Sequence, residues 1–385
     1  MTSSALSETT SQDRIQWIRL SSCYLPLARP ISDAKVLTGR QKPMTEVAML
    51  FAEIQTRDGH WGLGLSYAKR AGGPGQFAHA SEIAPTLLGE DPSDIARLWT
   101  RMCWAGASVG RSGLAVQAIA AFDVALYDIK ARRAGLSLSK LLGSQRESVR
   151  CYNTSGGFLH TPLDELKRNA SASLERGIGG IKLKVGQPDC AMDIRRVEAM
   201  RAHLGDAAPI MVDANQQWDR PTAQRMCRVF EEFNLVWIEE PLDAYDHEGH
   251  AALAGRFDTP IATGEMLTSA AEHGDLIRHR SADFLMPDAP RVGGITPFLQ
   301  IAAQAELAHL SLAPHFAMEL HVHLAATCAN EPWVEHFDWL EPLFNERLEI
   351  ANGRILVPTR PGLGLSLSEQ ARRWTRESVE FGERG

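Results

Sequence analysis

Three carboxylates near the middle of this 385-residue chain each close a short apolar run, and they do so at equal intervals. Asp213 ends Pro-Ile-Met-Val-Asp, Glu239 ends Leu-Val-Trp-Ile-Glu, and Glu265 ends Ile-Ala-Thr-Gly-Glu, with 26 residues from each acid to the next. That interval is the length of one strand, one helix and two connections. Side chains at the carboxyl ends of successive parallel strands converge on one face of a barrel. The spacing therefore predicts an α/β fold of the (β/α)₈ TIM-barrel type.

The same three acids form a candidate metal site. Three oxygen ligands from three neighbouring strands suit a hard divalent cation, Mg²⁺ before Zn²⁺. The alternative is three unrelated surface acids at the starts of loops, and the equal spacing argues against it. Nearby Asn215 and Glu240 either orient the ligands or cap the helices that follow.

A pair of lysines precedes the trio by one βα unit. On a strand, Lys182 and Lys184 point to the same side and Leu183 points to the other. Burying two ammonium groups inside a barrel costs free energy unless anions pair with them. Their mutual repulsion and a nearby cation are expected to lower a lysine pKa toward the range of a general base. The alternative is a solvated basic strand end.

Asp288 and His315 follow the predicted sixth and seventh barrel strands, so they are expected to be neighbours. A carboxylate bonded to one imidazole nitrogen leaves the other nitrogen free to act as a base. Glu335 ends the predicted eighth strand, where a protonated carboxyl could donate a hydrogen bond to substrate. Glu319, His321 and His323 lack the H-E-x-x-H spacing of a zinc site and are expected to begin a helix.

The chain exceeds the roughly 250 residues of a typical barrel, which indicates a second domain. Composition and rhythm predict a flexible N-terminus (residues 1–13), an α+β capping domain (14–146), the barrel (147–350) and a C-terminal segment that packs back on the capping domain (351–385). In the capping domain, Leu27–Thr45 and Lys69–Gly75 are predicted loops. The pair Lys69-Arg70 is interpreted as an anion clamp on a mobile loop, with a plain basic loop as the open alternative.

Composition excludes several classes of protein. A net charge of −7 gives no sign of nucleic-acid binding or of a polybasic membrane segment. No run of about 18 apolar residues could span a bilayer. The six cysteines are scattered without a C-x-x-C pair, which argues against a disulfide framework and points to the cytoplasm.

The predicted site has a definite chemistry. A divalent metal that binds both oxygens of a substrate carboxylate makes the C–H bond next to that carboxylate acidic. It does so by stabilising the enediolate formed when the proton is lost. Bases on opposite faces, Lys184 and His315, could act on either configuration. Loss of a hydroxyl from the next carbon gives dehydration, whereas reprotonation from the other face gives racemisation or epimerisation.

At this point the sequence resembles the mandelate-racemase branch of the enolase superfamily. The motifs that carry the resemblance are Lys182-Leu183-Lys184, Asp213-Ala214-Asn215, Glu239-Glu240-Pro241, Gly264-Glu265, Asp288 with Gly293-Gly294, and His315 with Glu335. Within the branch the chain is similar to the galactarate/L-talarate dehydratases, through Tyr67–Gly73, Trp104–Gly113, Asn153–His160 and His315–Glu319.

The resemblance implies a capping domain whose two loops close over the barrel mouth. It implies Mg²⁺ on the three carboxylates, with Lys184 and His315 as the acid/base pair and Asp288 supporting His315. Lys182, Asn215 and Glu335 match substrate-contacting positions. A symmetric homo-oligomer, perhaps an octamer, is also implied.

We therefore expect a Mg²⁺-dependent hydro-lyase that converts galactarate and L-talarate to a 3-deoxy-2-keto hexarate. Lys69-Arg70 would hold the carboxylate that the metal does not. A racemase, an epimerase or a dehydratase of another acid sugar is the first alternative, and a non-catalytic sugar-acid binding protein is a remote one. A metal-assisted hydrolase leaves the two opposed proton-transfer groups without a role.

Overall fold

The computed structural model describes residues 13–154 and 157–384. The predicted flexible N-terminus lies outside these residues except for Asp13. Asp13 is instead buried. Its carboxylate accepts a hydrogen bond from the Asp58 amide at 3.1 Å and lies 3.5 Å from Arg133.

The N-terminal domain combines an antiparallel sheet with helices packed on one face. Strand β1 pairs with β2, and β2 pairs with β3. The elements in chain order are β1 (Ile15–Ile31), α1 (Ala34–Leu37), β2 (Met44–Thr56), β3 (Trp61–Lys69), α2 (Gly73–Ile83), α3 (Ile95–Ala105), α4 (Leu114–Arg133) and α5 (Leu138–Leu141).

The two predicted loops are shorter than expected. Strand β1 continues to Ile31, and α1 lies inside the first loop because the Asp33 side chain caps it. Lys69 is the last residue of β3, and α2 begins at Gly73, with Pro74 in its first turn. The interpretation of Lys69 as part of a mobile loop is therefore wrong.

Strand β3 and helix α4 approach so closely that only glycine fits between them. A Cβ atom at Gly64 would lie 1.8 Å from the Ala121 carbonyl oxygen, and one at Gly62 would lie 2.3 Å from that of Ala125. The contact brings β3, and with it Tyr67 and Lys69, to a fixed depth in the molecule.

Replacing Gly64 by alanine is therefore expected to lower the free energy of unfolding by about 2–4 kcal/mol, because backbone must move to admit one methyl group. Urea denaturation followed by circular dichroism measures the loss. Gly255→Ala is the matched control, since Gly255 has a φ of −79° and its Cβ would meet only the Ala251 oxygen at 3.3 Å. Equal stability of the two variants would contradict the packing argument.

The second domain is the predicted barrel. Strands alternate with helices, in the order β4 (Ser148–Asn153), α6 (Leu163–Glu175), β5 (Gly180–Lys184), α7 (Cys190–Leu204), β6 (Ile210–Asp213), α8 (Arg220–Phe230), β7 (Ile238–Glu239), α9 (His247–Ala254), β8 (Ile261–Thr263), α10 (Ala270–His279), β9 (Phe284–Leu285), α11 (Ala289–Val292), α12 (Ile295–Leu307), β10 (Ser311–Leu312), α13 (Met318–Ala325) and β11 (Trp333–His336).

Parallel pairing runs from β4 through β10 in chain order, and β11 pairs in parallel with β4. The α/β barrel class is thus confirmed. A 3₁₀ helix, Asp338–Leu343, follows β11 in place of an α-helix. The barrel interior is filled by Tyr152, Met211, Trp237, Met286 and Trp333, so it is a packed core with its polar groups at one end.

The C-terminal residues are shared between the two domains. Strands β12 (Ile350–Ala351) and β13 (Arg354–Leu356) form a hairpin, and β13 adds antiparallel to β4 of the barrel sheet. After α14 (Glu369–Arg373), strand β14 (Thr375–Gly382) pairs antiparallel with β1. Packing on the capping domain thus begins later than residue 351.

One apolar core joins the capping domain to the barrel. Phe51 and Tyr67 from the sheet pack with Phe316, Leu320 and Phe344 from the barrel. All six cysteines are free thiols. Across residues 13–154 and 157–384, none of the helices has the length and apolar character needed to cross a bilayer.

Candidate active site

The three predicted metal ligands meet at the carboxyl end of the barrel. Asp213 ends β6, Glu239 ends β7, and Glu265 lies two residues beyond β8. One oxygen from each lies within 4.8 Å of the others, and all three side chains are buried. Burial and the Asp213 carboxylate raise the pKa of Glu239 well above its usual value. A donor set of buried, mutually repelling carboxylate oxygens fits a hard divalent cation such as Mg²⁺.

Lys182 lies at the centre of this acidic group. Its Nζ is 2.9 Å from both oxygens of Glu239, 2.7 Å from Glu335 and 3.7 Å from Asp213. Burial opposes the charge, but Glu239 and Glu335 outweigh it and hold the pKa of Lys182 well above its usual value. Lys182 is therefore a permanent buried cation.

Lys184 lies on the same side of β5, as the alternation predicts, and its Nζ donates to Asp213 Oδ2. Burial disfavours its charge, yet the Asp213 carboxylate raises its pKa above the usual value. The prediction that repulsion from Lys182 lowers the pKa of Lys184 is therefore wrong when only the charges of the protein itself are considered. The reason is that the Asp213 carboxylate acts on Lys184 more strongly than Lys182 does, while Glu239 and Glu335 act on Lys182.

Asn215 orients the ligand Asp213, and neither Asn215 nor Glu240 caps a helix. The Asn215 amide donates to Asp213 Oδ1 at 2.8 Å, and Glu240 Oε2 accepts from Gln216 Nε2 at 2.8 Å. Helices α8 and α9 are capped instead by Asp219 and Asp246. Asn215 and Glu240 adopt positive φ angles of 45° and 39°, so the chain turns sharply beside the ligands.

His315 and Asp288 are neighbours, as predicted. His315 Nδ1 lies 2.7 Å from Asp288 Oδ2, which also accepts a hydrogen bond from the Tyr67 hydroxyl. Burial raises the pKa of Asp288, but the bond to His315 outweighs it and holds the pKa below its usual value. The carboxylate fixes the imidazole so that Nε2 faces the cavity, 3.5 Å from Glu265.

Glu335 lies one residue before the end of β11 and joins the group as an anion. Besides Lys182, it accepts from Thr154 Oγ1 at 2.9 Å and from the Phe316 amide at 3.0 Å. Burial favours the neutral form, but Lys182 lowers the pKa of Glu335 to about 2. The prediction that a protonated Glu335 donates a hydrogen bond to the substrate is therefore wrong.

Lys69 and Arg70 diverge in spite of being adjacent. Lys69 Nζ lies 3.2 Å from His315 Nε2 and 4.0 Å from the centre of the Phe316 ring. Burial lowers its pKa to about 8. Arg70, with a φ of 64°, binds Asp33 and Gln41 and lines the same cavity as Lys69. The two cations thus have different partners within the protein.

Sequence reasoning missed four residues at the site. Tyr67 supports Asp288, Thr154 supports Glu335, and Trp237 Nε1 donates to Glu239 at 3.1 Å. Arg291 Nη1 donates to the Glu265 carbonyl at 2.6 Å. Of the four, only Tyr67 could have been found from the sequence. It precedes Lys69 by two positions on β3, so the two side chains must lie on the same face of the strand.

The histidines of α13 are structural. His321 accepts from the Ala289 amide at 3.0 Å, and His323 Nε2 lies 3.2 Å from the Leu363 carbonyl. Burial lowers the pKa of His323 from 6.5 to about 4. The folded protein therefore binds fewer protons here than the unfolded chain between those values, and stability is lost as the pH falls from 6.5 toward 4.

His323→Gln keeps a donor for Leu363 and removes the titrating ring. We expect the variant to lose less stability than the parent between pH 6.5 and 4, with a slope smaller by up to about 1.4 kcal/mol per pH unit. Chemical denaturation across that range measures both slopes. His309→Gln, at an exposed position, is the matched control. Parallel curves for the parent and His323→Gln would contradict the assignment.

The site opens into a cavity between the two domains. Its wall combines barrel residues with residues of β3 and of the segment around α1, including Asp33, Lys35, Lys69, Lys184, Glu265 and His315. Lys184 ends the second barrel strand and His315 follows the seventh. The two therefore approach the cavity from different sides of the carboxylate trio.

Comparison with known proteins identifies both domains. Residues 35–143 match the family described as "Mandelate racemase / muconate lactonizing enzyme, N-terminal domain". Residues 165–371 match the family "Enolase C-terminal domain-like".

Characterised relatives span almost the whole chain. The L-talarate/galactarate dehydratase of Salmonella typhimurium is 66% identical over 372 residues, which are 97% of this chain and 94% of the relative. A structure of that enzyme with Mg and L-lyxarohydroxamate has a TM-score of 0.98 at 64% identity, covering 100% of this chain and 98% of the other. L-talarate dehydratase from Polaromonas sp. JS666, complexed with Mg and L-glucarate, has a TM-score of 0.95 at 80% identity, covering 97% and 100%.

Proposed function

Since this chain belongs to the mandelate racemase / muconate lactonizing enzyme family of the enolase superfamily, we propose that it is a Mg²⁺-dependent dehydratase of L-talarate and galactarate. The product is a 3-deoxy-2-keto hexarate. The observation that carries the proposal is 66% identity to an L-talarate/galactarate dehydratase along 97% of the chain. The buried carboxylate trio between Lys184 and His315 supports it.

Asp213, Glu239 and Glu265 would hold the cation. Bound there, Mg²⁺ supplies positive charge that stabilises the anion formed when the carbon next to a carboxylate loses its proton. Around these ligands, the Asn215 amide fixes an oxygen of Asp213 and the Trp237 indole fixes an oxygen of Glu239 by hydrogen bonds. Such supporting bonds keep ligand geometry rigid.

Lys184 and His315 would transfer protons. One of them removes the proton next to the carboxylate, and the protonated partner gives a proton to the departing hydroxyl, which leaves as water. The enol that remains tautomerises to the 2-keto acid. Asp288 orients His315 through the 2.7 Å contact at Nδ1, and the Tyr67 hydroxyl fixes Asp288 in turn.

Lys182, Asn215, Glu335 and Lys69 would contact the substrate. Asn215 and Lys69 line the cavity, and Lys182 is a buried cation among the acids. A hexarate has a second carboxylate that the metal does not hold. Lys69 offers it a cation at the cavity wall, and Arg70, the other proposed contact, keeps its Nη1 free of the bonds to Asp33 and Gln41.

Two proton-transfer groups also favour epimerisation as a second reaction. If proton loss occurs at Lys184 and proton return occurs at His315, the configuration at that carbon is inverted. Solvent-deuterium incorporation into unreacted diacid measures this path separately from keto-acid formation.

A screen of aldarates and aldonates for keto-acid formation tests the proposed function. L-talarate and galactarate are expected to react, with activity abolished by a chelator and restored by Mg²⁺. If only a different acid sugar reacts, the proposed reaction class stands, but L-talarate and galactarate are rejected as the substrates. Binding of diacids with neither turnover nor deuterium exchange would instead indicate a non-catalytic binding protein.

Family resemblance favours a symmetric homo-oligomer of eight subunits. The six free thiols favour a location in the cytoplasm. Sedimentation velocity gives the subunit number, and a monomer at assay concentration would reject it. Fractionation of cells that produce the protein tests the location.

A further inference from the structure

Arg70 connects the two ends of one short segment of the capping domain. Its Nη2 donates to Asp33 Oδ2 at 2.8 Å, and its Nε donates to Gln41 Oε1 at 2.9 Å. Asp33 precedes α1 and Gln41 follows it. We call residues 32–43, which contain α1, the lid segment. A single guanidinium thus holds the lid segment on both sides of its helix.

The helix of the lid segment is short. Helix α1 has only four residues, and helices this short are unstable alone. Asp33 Oδ1 caps it by accepting from the Lys35 and Val36 amides at 3.1 and 3.3 Å. Since Asp33 Oδ2 binds Arg70, one carboxylate both begins the helix and ties it to β3.

The far end of α1 reaches the metal-ligand loop. Thr38 Oγ1 lies 3.3 Å from Gln217 Oε1, and Gln217 Nε2 donates to the Asn215 carbonyl at 2.7 Å. Asp33, Lys35 and Gln41 all line the cavity that holds Lys184 and His315. The position of the lid segment therefore determines one wall of the cavity.

We propose that Arg70 is a positioning residue that keeps the lid segment closed over the barrel mouth. The inference rests on the proposed function only for its effect on turnover. The planar guanidinium suits this task because it holds two acceptors in fixed directions, which a lysine cannot do. Closure matters because small misplacement of groups around a reacting carbon costs much of the rate.

The variants are chosen to separate a latch from a simple anion clamp. Arg70→Ala removes both roles. Asp33→Asn keeps the helix cap, since asparagine caps as well as aspartate, and removes the charge that Arg70 binds while leaving Arg70 intact. Arg29→Ala is the control, because Arg29 is 84% exposed and reaches only Glu165 at 3.4 Å.

Limited trypsin digestion in the absence of substrate measures how often the lid segment opens. Arg40 is exposed in the lid segment, whereas Lys42 precedes Pro43 and resists cleavage. Loss of a charge-assisted hydrogen bond should raise the rate of cutting after Arg40 by roughly tenfold to a hundredfold in Arg70→Ala and Asp33→Asn. Mass spectrometry of the fragments identifies the bond. Rates equal to those of the parent and Arg29→Ala would overturn the proposal.

Kinetics with L-talarate give the second measurement. Asp33→Asn should lose kcat/KM, Arg70→Ala should lose at least as much because it also removes a proposed substrate contact, and Arg70→Ala/Asp33→Asn should be little worse than Arg70→Ala alone, because the two changes break one shared contact. If Arg70→Ala loses activity while Asp33→Asn keeps it, Arg70 acts only on the substrate and the latch is rejected. A parent enzyme without dehydratase activity would reject the proposed function, and the trypsin result would still decide the latch.

Discussion

Replacing Lys184 by alanine is expected to reduce turnover of L-talarate and galactarate by about 10³-fold or more, near the upper limit for general acid/base catalysis. Lys184 ends the second barrel strand, and its Nζ lies beside Asp213. It is one of two groups placed to move the proton next to a carboxylate of the substrate. Steady-state keto-acid formation measures the loss. Circular dichroism and Mg²⁺ titration should show that the fold and the metal affinity remain.

Proton exchange gives a sharper version of this test. In the Lys184→Ala variant, deuterium should still enter substrates whose proton faces His315, and it should no longer enter those whose proton faces position 184. His315→Asn should show the reverse pattern. Lys130→Ala, at an exposed position of α4, is the control. Full activity of Lys184→Ala or His315→Asn would remove the proposed mechanism.

Replacing Lys182 by methionine is expected to lower the free energy of unfolding by about 3–5 kcal/mol, because buried carboxylates lose their counter-ion. Lys182 lies within 3 Å of Glu239 and Glu335 in a fully enclosed site. Denaturation in chelator measures the loss, and activity should disappear with it.

A second substitution distinguishes charge from packing in this variant. Lys182→Met/Glu335→Gln removes one of the stranded anions and should recover part of the stability, whereas a packing defect would not respond. Lys130→Met controls for the loss of an exposed lysine. A loss below about 1 kcal/mol for Lys182→Met, the range of surface ion pairs, would contradict the central role given to this cation.

The barrel and its metal ligands could be predicted from sequence because their geometry repeats. Parallel strands place residues at their carboxyl ends on one face, so the equal spacing of Asp213, Glu239 and Glu265 led to one location. The alternation at Lys182 and Lys184 and the neighbouring strands of Asp288 and His315 follow from equally local rules.

Partner choice between distant segments could not be predicted in this way. Nothing near Arg70 indicates that it binds Asp33, which lies 37 residues earlier, or that Lys69 turns inward to His315. The ionisation of Glu335 and Lys184 depends on which opposite charges come nearest in three dimensions. Such distances are set by the packing of the capping domain on the barrel, which no repeat in the sequence encodes.

The pairing of β14 with β1 has a consequence for biosynthesis. Strand β1 finds one of its neighbours only in Thr375–Gly382. Until residues 375–382 have left the ribosome, β1 carries an open edge, and open edges invite pairing with other chains. Deletion of β14 is thus expected to promote aggregation of nascent protein, even though the barrel that carries the chemistry would be intact.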